Sequence, residues 1–168
     1  EVVAFQGIDE TVKAYESGRC DAISTDISQL VSYRLKMADP AEHILLPEVI
    51  SKEPIGPYVR QGDDQWFDIV RWTVFAMINA EELGVSSANV GEMLKSDNPE
   101  VQRLLGVGTK LGEGLGLSAD WAARIVRHVG NYGESYERNL GSGSRINLPR
   151  GLNNLWSKGG IQFAPPIR

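Results

Sequence analysis

Cysteine and histidine are nearly missing from this sequence. It has one Cys, Cys20, and two His, His43 and His128, in 168 residues. A single cysteine excludes a self-contained disulfide framework. Neither histidine has a second His or a Cys at metal-ligand spacing, so no metal site is expected. Basic residues are outnumbered, 17 Lys+Arg against 22 Asp+Glu, for a formal net charge of −5. That excludes a generally basic nucleic-acid face and leaves only a local patch open. No apolar run reaches the ~18 residues of a spanning helix. The longest, residues 70–83, is interrupted by Arg71, Asn79, Glu81 and Glu82. A Gly-x-Ser-x-Gly elbow is absent, Gly141-Ser142-Gly143-Ser144-Arg145 being one residue out of phase. The glycines of residues 106–116 lack the Walker spacing and follow a helical pattern, whereas a dinucleotide fingerprint follows a strand. They are expected to form a flexible surface loop. What remains, 42% hydrophobic and 23% charged, is ordinary globular composition.

There is no initiator Met, basic n-region or signal-type cleavage site at the start. The chain opens inside an apolar run, Glu1-Val2-Val3-Ala4-Phe5. A start in mid-strand is expected of a piece of a longer chain, the alternative being an edge strand at a terminus.

Residues 2–5 read as a short buried strand. Ile8, Val12 and Tyr15 fall at helical spacing, with Asp9 as N-cap and Gly18 past the C-terminus. Residues 21–26 read as a second strand, so 1–26 spell strand, helix, strand: a βαβ unit with parallel strands and a right-handed crossover. Asp26 or Ser28 can cap the next helix, which must stop before Asp39-Pro40. Residues 43–50 read as strand-like, interrupted by Pro47, and 55–60 as a further strand; Pro47, Pro54 and Pro57 make this stretch stiff and extended, a candidate crossover between lobes. After Gly62-Asp63-Asp64 a long helix is expected, with Trp66, Phe67, Val70, Val74, Met77 and Ile78 on its apolar face and Gly84 at its end. A polar stretch, 85–95, leads to Asn98-Pro99-Glu100, which announces a helix closing at Gly106. Further helices are expected after Ser118-Ala119-Asp120, near residues 130–133, and over 150–158. The Pro165-Pro166 tail is extended.

One acidic residue stands out. In parallel α/β sheets ligands bind beyond the carboxyl ends of the strands, where Asp26 falls, preceded by Ser24 and Thr25. A carboxylate there can hold a cationic amine through a charge-assisted bond. It can equally serve only as a helix cap. Cys20 reads as a small buried hydrophobe, at a helix end whose dipole disfavours a thiolate. The four tryptophans, Trp66, Trp72, Trp121 and Trp156, read as packing residues.

Several longer stretches resemble one family. Ala14-Tyr15-Glu16-Ser17-Gly18-Arg19-Cys20-Asp21-Ala22 followed by Ser24-Thr25-Asp26 resembles the second lobe of periplasmic amino-acid-binding proteins of ABC importers, in particular the general L-amino-acid-binding subfamily. Ile50-Ser51-Lys52-Glu53-Pro54-Ile55-Gly56-Pro57 with Val59-Arg60-Gln61-Gly62-Asp63-Asp64 is similar to that subfamily's return to lobe one, and Asn79-Ala80-Glu81-Glu82-Leu83-Gly84, His128-Val129-Gly130-Asn131-Tyr132-Gly133-Glu134 and Ala164-Pro165-Pro166-Ile167-Arg168 also fit. The resemblance implies an α/β, periplasmic-binding-protein-like type II fold, incomplete because members are about twice this length and a single lobe is already ~100–150 residues. It implies that residues 1–54 are the latter part of lobe two and 55–168 the C-terminal part of lobe one.

In function, the resemblance implies a substrate-binding component that captures an L-amino acid in an interlobe cleft and delivers it to a membrane permease, in the periplasm of a Gram-negative bacterium, without a cofactor. It implies ligand contacts from Asp26, Thr25 and Ser24, with Asp26 accepting from the α-ammonium group, and a disulfide between Cys20 and a cysteine outside this sequence. No nucleic-acid partner is expected. Self-association is, because half-lobes expose apolar edges. The rival reading is a dehydratase-like enzyme on the same fold, and for its acid/base chemistry Asp26 is the one residue the sequence offers.

Overall fold

A computed structural model describes residues 1–51 and 54–168. Lys52 and Glu53, which fall within the return motif quoted above and just before the expected lobe boundary, lie outside the described residues. Seven α-helices are described: α1 (Ile8–Glu16), α2 (Ile27–Arg34), α3 (Asp64–Glu82), α4 (Val90–Met93), α5 (Pro99–Leu105), α6 (Trp121–Val129) and α7 (Tyr132–Asn139). Single 3₁₀ turns cover Pro40–Glu42, Leu111–Leu115, Gly151–Asn153 and Trp156–Lys158.

The helix ends follow from local chemistry. Asp63 accepts from the Trp66 N–H at 3.2 Å and so starts α3. Asn98 accepts from the Glu100 N–H at 2.9 Å, with Pro99 in the first turn of α5. Asn131 and Glu134 form a full capping box on α7. Glu134 also accepts from the Ser87 backbone at 3.0 Å, which ties α7 to the loop after α3. Helices α1, α3 and α5 stop in Schellman motifs, α5 through Gly106 (φ +76°) and Val107, which donate to Arg103 and Gln102. After α1, Gly18 (φ +74°) donates to Tyr15 and Arg19 donates to Ala14. After α3, Gly84 (φ +70°) and Val85 repeat the pattern toward Glu81 and Ala80.

The core belongs to residues 64–168. Helix α3 packs against α5, α6 and α7. Its Ala76 and Ala80 meet Val85, Val101, Leu104, Leu105, Ala122 and Val126 in one buried cluster. The short side chains at 76, 80, 122 and 123 let the helices approach closely. Asn79, buried on α3, donates to the Phe75 and Pro165 carbonyls at 2.9 Å each and so fastens the C-terminal tail to the long helix. Among the described residues no hydrogen bond joins residues 1–51 to residues 54–168.

Several expectations need correction. The strands expected over 2–5, 21–26, 43–50 and 55–60 form no ladder. The one β-bridge among the described residues is the parallel contact of Leu155 with Gln162. The segments have non-helical backbone but no neighbour to supply N–H and C=O partners, and a strand exists only as part of a pair. Val2, expected to be buried, is 96% accessible, and in the other segments Tyr58 is 97% accessible and Ile44, Leu46, Val49 and Ile50 lie open. The α/β sheet is therefore not formed within the described residues. The stretch 85–95 is not simply polar: Val85 and Val90 are core residues and α4 forms inside it. The expected last helix over 150–158 is two 3₁₀ turns instead, parted by the non-helical backbone of Asn154 (ψ 161°) and Leu155 (ψ 148°).

The glycines of 106–116 are not a loose loop either. Gly106 has φ +76°, and a Cβ there would strike the Ala119 carbonyl oxygen. A Cβ at Gly112 would strike the Ser118 carbonyl oxygen and the Trp121 ring. These glycines let the start of α6 sit directly on the loop after α5.

Candidate functional site

Asp26 occupies the N-cap position of α2, with φ −55° and ψ 140°. Its carbonyl accepts the Leu30 N–H at 2.9 Å. Its carboxylate makes no cap bond to the helix. Asp63, Asn98 and Asn131 occupy the same position on their helices and all use their side chains to cap. The half-buried Asp26 carboxylate therefore sits at a helix N-terminus, a position that attracts negative charge, with its oxygens unused by the described residues. Of the two readings open to sequence, a capping side chain is the one the geometry does not show.

Thr25 is half-buried beside it, and its hydroxyl donates to Gln29 Oε1 at 3.0 Å. The Tyr33 hydroxyl donates to the same oxygen at 3.2 Å. Gln29 and Tyr33 stand one turn apart on α2, and Thr25, just before the N-cap, joins them in a polar strip through Gln29. The strip leaves the Thr25 oxygen free to accept and the Gln29 amide free to donate. Gln29 and Tyr33 escaped the sequence reading, although that spacing was the available signal. Ser24 is exposed and its hydroxyl has no partner among the described residues. Thr25 thus comes together with Gln29 and Tyr33, while the side chains of Asp26 and Ser24 have no hydrogen bond to this strip among the described residues.

Cys20 is a half-buried free thiol just past α1, held by its N–H donating to the Ala14 carbonyl at 3.3 Å. His43 is engaged: its Nδ1 lies 2.8 Å from the Tyr15 hydroxyl, with the two rings 5.3 Å apart. His128 is exposed on α6. Among the described residues no group of three His, Cys, Asp or Glu side chains could hold a metal ion. Nor does any described helix have the length and apolarity to cross a membrane. Among the described residues no titratable side chain hydrogen-bonds Asp26.

A second polar centre was not legible in advance. Arg150 donates from Nη1 and Nη2 to the two Glu81 carboxylate oxygens at 3.1 Å each, and from Nε and Nη2 to the Asn153 carbonyl at 3.1 and 2.8 Å. Its guanidinium lies 5.3 Å from the Tyr132 ring and 5.2 Å from the Tyr136 ring. Burial pushes both phenols above their ordinary value, against the opposing pull of Arg150. The Arg150–Glu81 side chains are only 12% and 11% accessible. With its bonds taken up internally, this centre pins α7 and the C-terminal loops to α3.

No family profile matches the chain. Individual proteins do. It is 59% identical over 168 residues to the general L-amino acid-binding periplasmic protein AapJ of Rhizobium johnstonii, covering 99% of this chain and 49% of that one. It is 55% identical over 167 residues to the putative amino-acid ABC transporter-binding protein YhdW of Escherichia coli, again with 49% of that chain covered. It is 46% identical over 160 residues to the glutamate/glutamine/aspartate/asparagine-binding protein BztA of Rhodobacter capsulatus, with 47% covered. Among solved structures, an ABC transporter/periplasmic binding protein from Brucella ovis with glutathione bound superposes with a TM-score of 0.91 at 56% identity, over 99% of this chain and 52% of that one. The chain spans about half the length of the curated relatives it matches.

Proposed function

We propose, on the premise that this chain is a homologue of the periplasmic amino-acid-binding proteins of ABC transporters, that it serves as part of the substrate-binding component of an amino-acid importer. The observation that carries this reading is the 59% identity to AapJ along 99% of the chain. In this reading residues 1–54 belong to one lobe and 55–168 to the other, and the extended segments at 2–5, 21–26, 43–50 and 55–60 pair with strands from the half that the relatives possess in addition. The exposed apolar side chains of those segments support this, since a surface with so many exposed large hydrophobics normally has a partner. Left without that half, the chain is expected to self-associate.

The ligand is an L-amino acid in a cleft between the lobes. Asp26 accepts from its α-ammonium group, Thr25 accepts alongside, and Ser24 reaches the ligand from the exposed side. The free carboxylate oxygens of Asp26 and the Thr25–Gln29–Tyr33 strip support that role. Closure about the crossing strands removes water from the ammonium–carboxylate pair, which strengthens it. No bond is made or broken. Cys20 pairs with a cysteine from the other half, and the closed form docks on a membrane permease, in the periplasm of a Gram-negative bacterium.

The test joins this chain to the half-length polypeptide that its relatives carry beyond it and measures L-amino-acid binding by calorimetry. Binding is expected for the parent, with Asp26→Asn weakening it by about 2–5 kcal/mol, the cost of leaving a buried ammonium without its partner. Equal affinity in the two proteins would refute the assignment of Asp26.

A further inference from the structure

A cavity of about 240 Å³ opens between the end of α3, α5 and the C-terminal segment, remote in sequence from Asp26. It is smaller than the ~300–1,000 Å³ of drug-sized pockets and suits a small ligand. Its wall includes Glu82, Glu100, Arg103, Trp156 and Phe163.

Arg103 is the unusual member. Its Nε is buried and has no hydrogen-bond partner among the described residues. The ion pairs described are Arg71–Asp68, Lys110–Glu113 and Arg150–Glu81, and none includes Arg103. Glu100 stands one turn earlier on α5 and still does not pair with it. A buried donor without an acceptor is costly, and such groups in native proteins call for a specific explanation. The contrast with Arg150, whose guanidinium is bonded on both sides, is direct.

The rest of the wall supplies the opposite charge and an apolar surface. Glu82 accepts from Trp156 Nε1 at 2.9 Å through one oxygen, and its other oxygen has no partner among the described residues. The Glu100 carboxylate has no described partner. The Trp156 and Phe163 rings stand edge to face at 6.2 Å, and both are more than half accessible, 53% and 64%. Among the described residues, an arginine without an ion pair, two exposed carboxylates and two open rings surround this small cavity, a set that matches a zwitterion carrying an apolar side chain.

We infer that this cavity is a second ligand site, which takes a free α-amino acid with an apolar side chain. The ligand's carboxylate meets the Arg103 guanidinium, its ammonium faces Glu82 and Glu100, and its side chain lies on Trp156 and Phe163. The described lining falls within residues 79–167, and the inference does not rest on the cleft reading of Asp26.

The experiment follows the indole N–H signal of Trp156 in the ¹⁵N-labelled 168-residue chain, assigned with Trp156→Phe. L-phenylalanine is titrated against 3-phenylpropionate, which lacks the amine, and 2-phenylethylamine, which lacks the carboxylate. L-phenylalanine is expected to shift the signal saturably in the millimolar range. Both analogues should bind at least about tenfold more weakly, because each leaves one polar side of the site without a partner. Arg103→Gln and Arg103→Lys should each weaken L-phenylalanine by about tenfold or more, whereas Arg124→Gln on the exposed face of α6 should not. The inference is overturned by the absence of a saturable shift, by equal binding of the three compounds, or by wild-type affinity in a folded Arg103 variant. Because the signal is local to Trp156, a negative result leaves the assignment of Asp26 standing.

Discussion

Replacing Arg150 by Met should destabilise the unit built on α3 far more than loss of a surface ion pair would. The Glu81 carboxylate it neutralises is only 11% accessible and receives both of its bonds from Arg150. Removing one partner of such a pair leaves a buried charge uncompensated, at a cost of about 3–5 kcal/mol. Two bonds to the Asn153 carbonyl and two ring contacts disappear as well. For a chain of this size a loss of that order lowers the melting temperature by roughly 6–20 °C. The assay is thermal unfolding followed by far-ultraviolet circular dichroism, which reports α3 to α7. Glu81→Leu combined with Arg150→Met should recover much of the loss, because an apolar pair of similar volume carries no desolvation penalty. A loss below about 1 kcal/mol for Arg150→Met, the range of exposed pairs, would refute the view that this pair is buried and pins the C-terminal segment.

Gly106→Ala should destabilise by at least about 2 kcal/mol, since it adds the ~1–2 kcal/mol cost of a left-handed residue to a clash with the Ala119 carbonyl. Gly108→Ala, with φ +68° but open space around it, should show only the first cost, and denaturant unfolding of the two variants would separate the terms. Burial pushes the Glu134 carboxyl up, but bonds from Ser87 and Asn131 outweigh it and hold the group below its ordinary value. A lowered native value means that its stabilisation is present above the unfolded value and is lost as pH falls through the native one. The stability gap between wild type and Glu134→Gln, measured by urea unfolding from pH 7 to pH 3, should therefore narrow on the acid side. A gap that widens toward acid would contradict the capping geometry.

Helix ends were the most legible part of the fold, because caps act within a few residues. Asp63 and Asn98-Pro99 start α3 and α5 as their side chains predict, and Gly18 and Gly84 close α1 and α3 through left-handed turns. Strands were the least legible. The residue types at 2–5 and 43–50 suit a sheet, but pairing is a property of two segments, and within the described residues neither finds a second. The close approach of α6 to Gly106 and Gly112 could not be read, because glycine looks the same whether it gives flexibility or clearance. At the candidate site, the position of Asp26 before α2 was readable and the idle state of its carboxylate was not, since that depends on where the side chain turns. Arg150 was invisible for a related reason: its partner Glu81 lies 69 residues away.

The central claim is that Asp26 holds the ammonium group of an amino acid. A crystal structure of this chain joined to its complementary half, grown with an L-amino acid, tests it most directly. The ligand nitrogen is expected within about 3 Å of an Asp26 carboxylate oxygen. A bound amino acid with its nitrogen on other groups, and the Asp26 carboxylate folded back onto the N–H groups of α2, would contradict it.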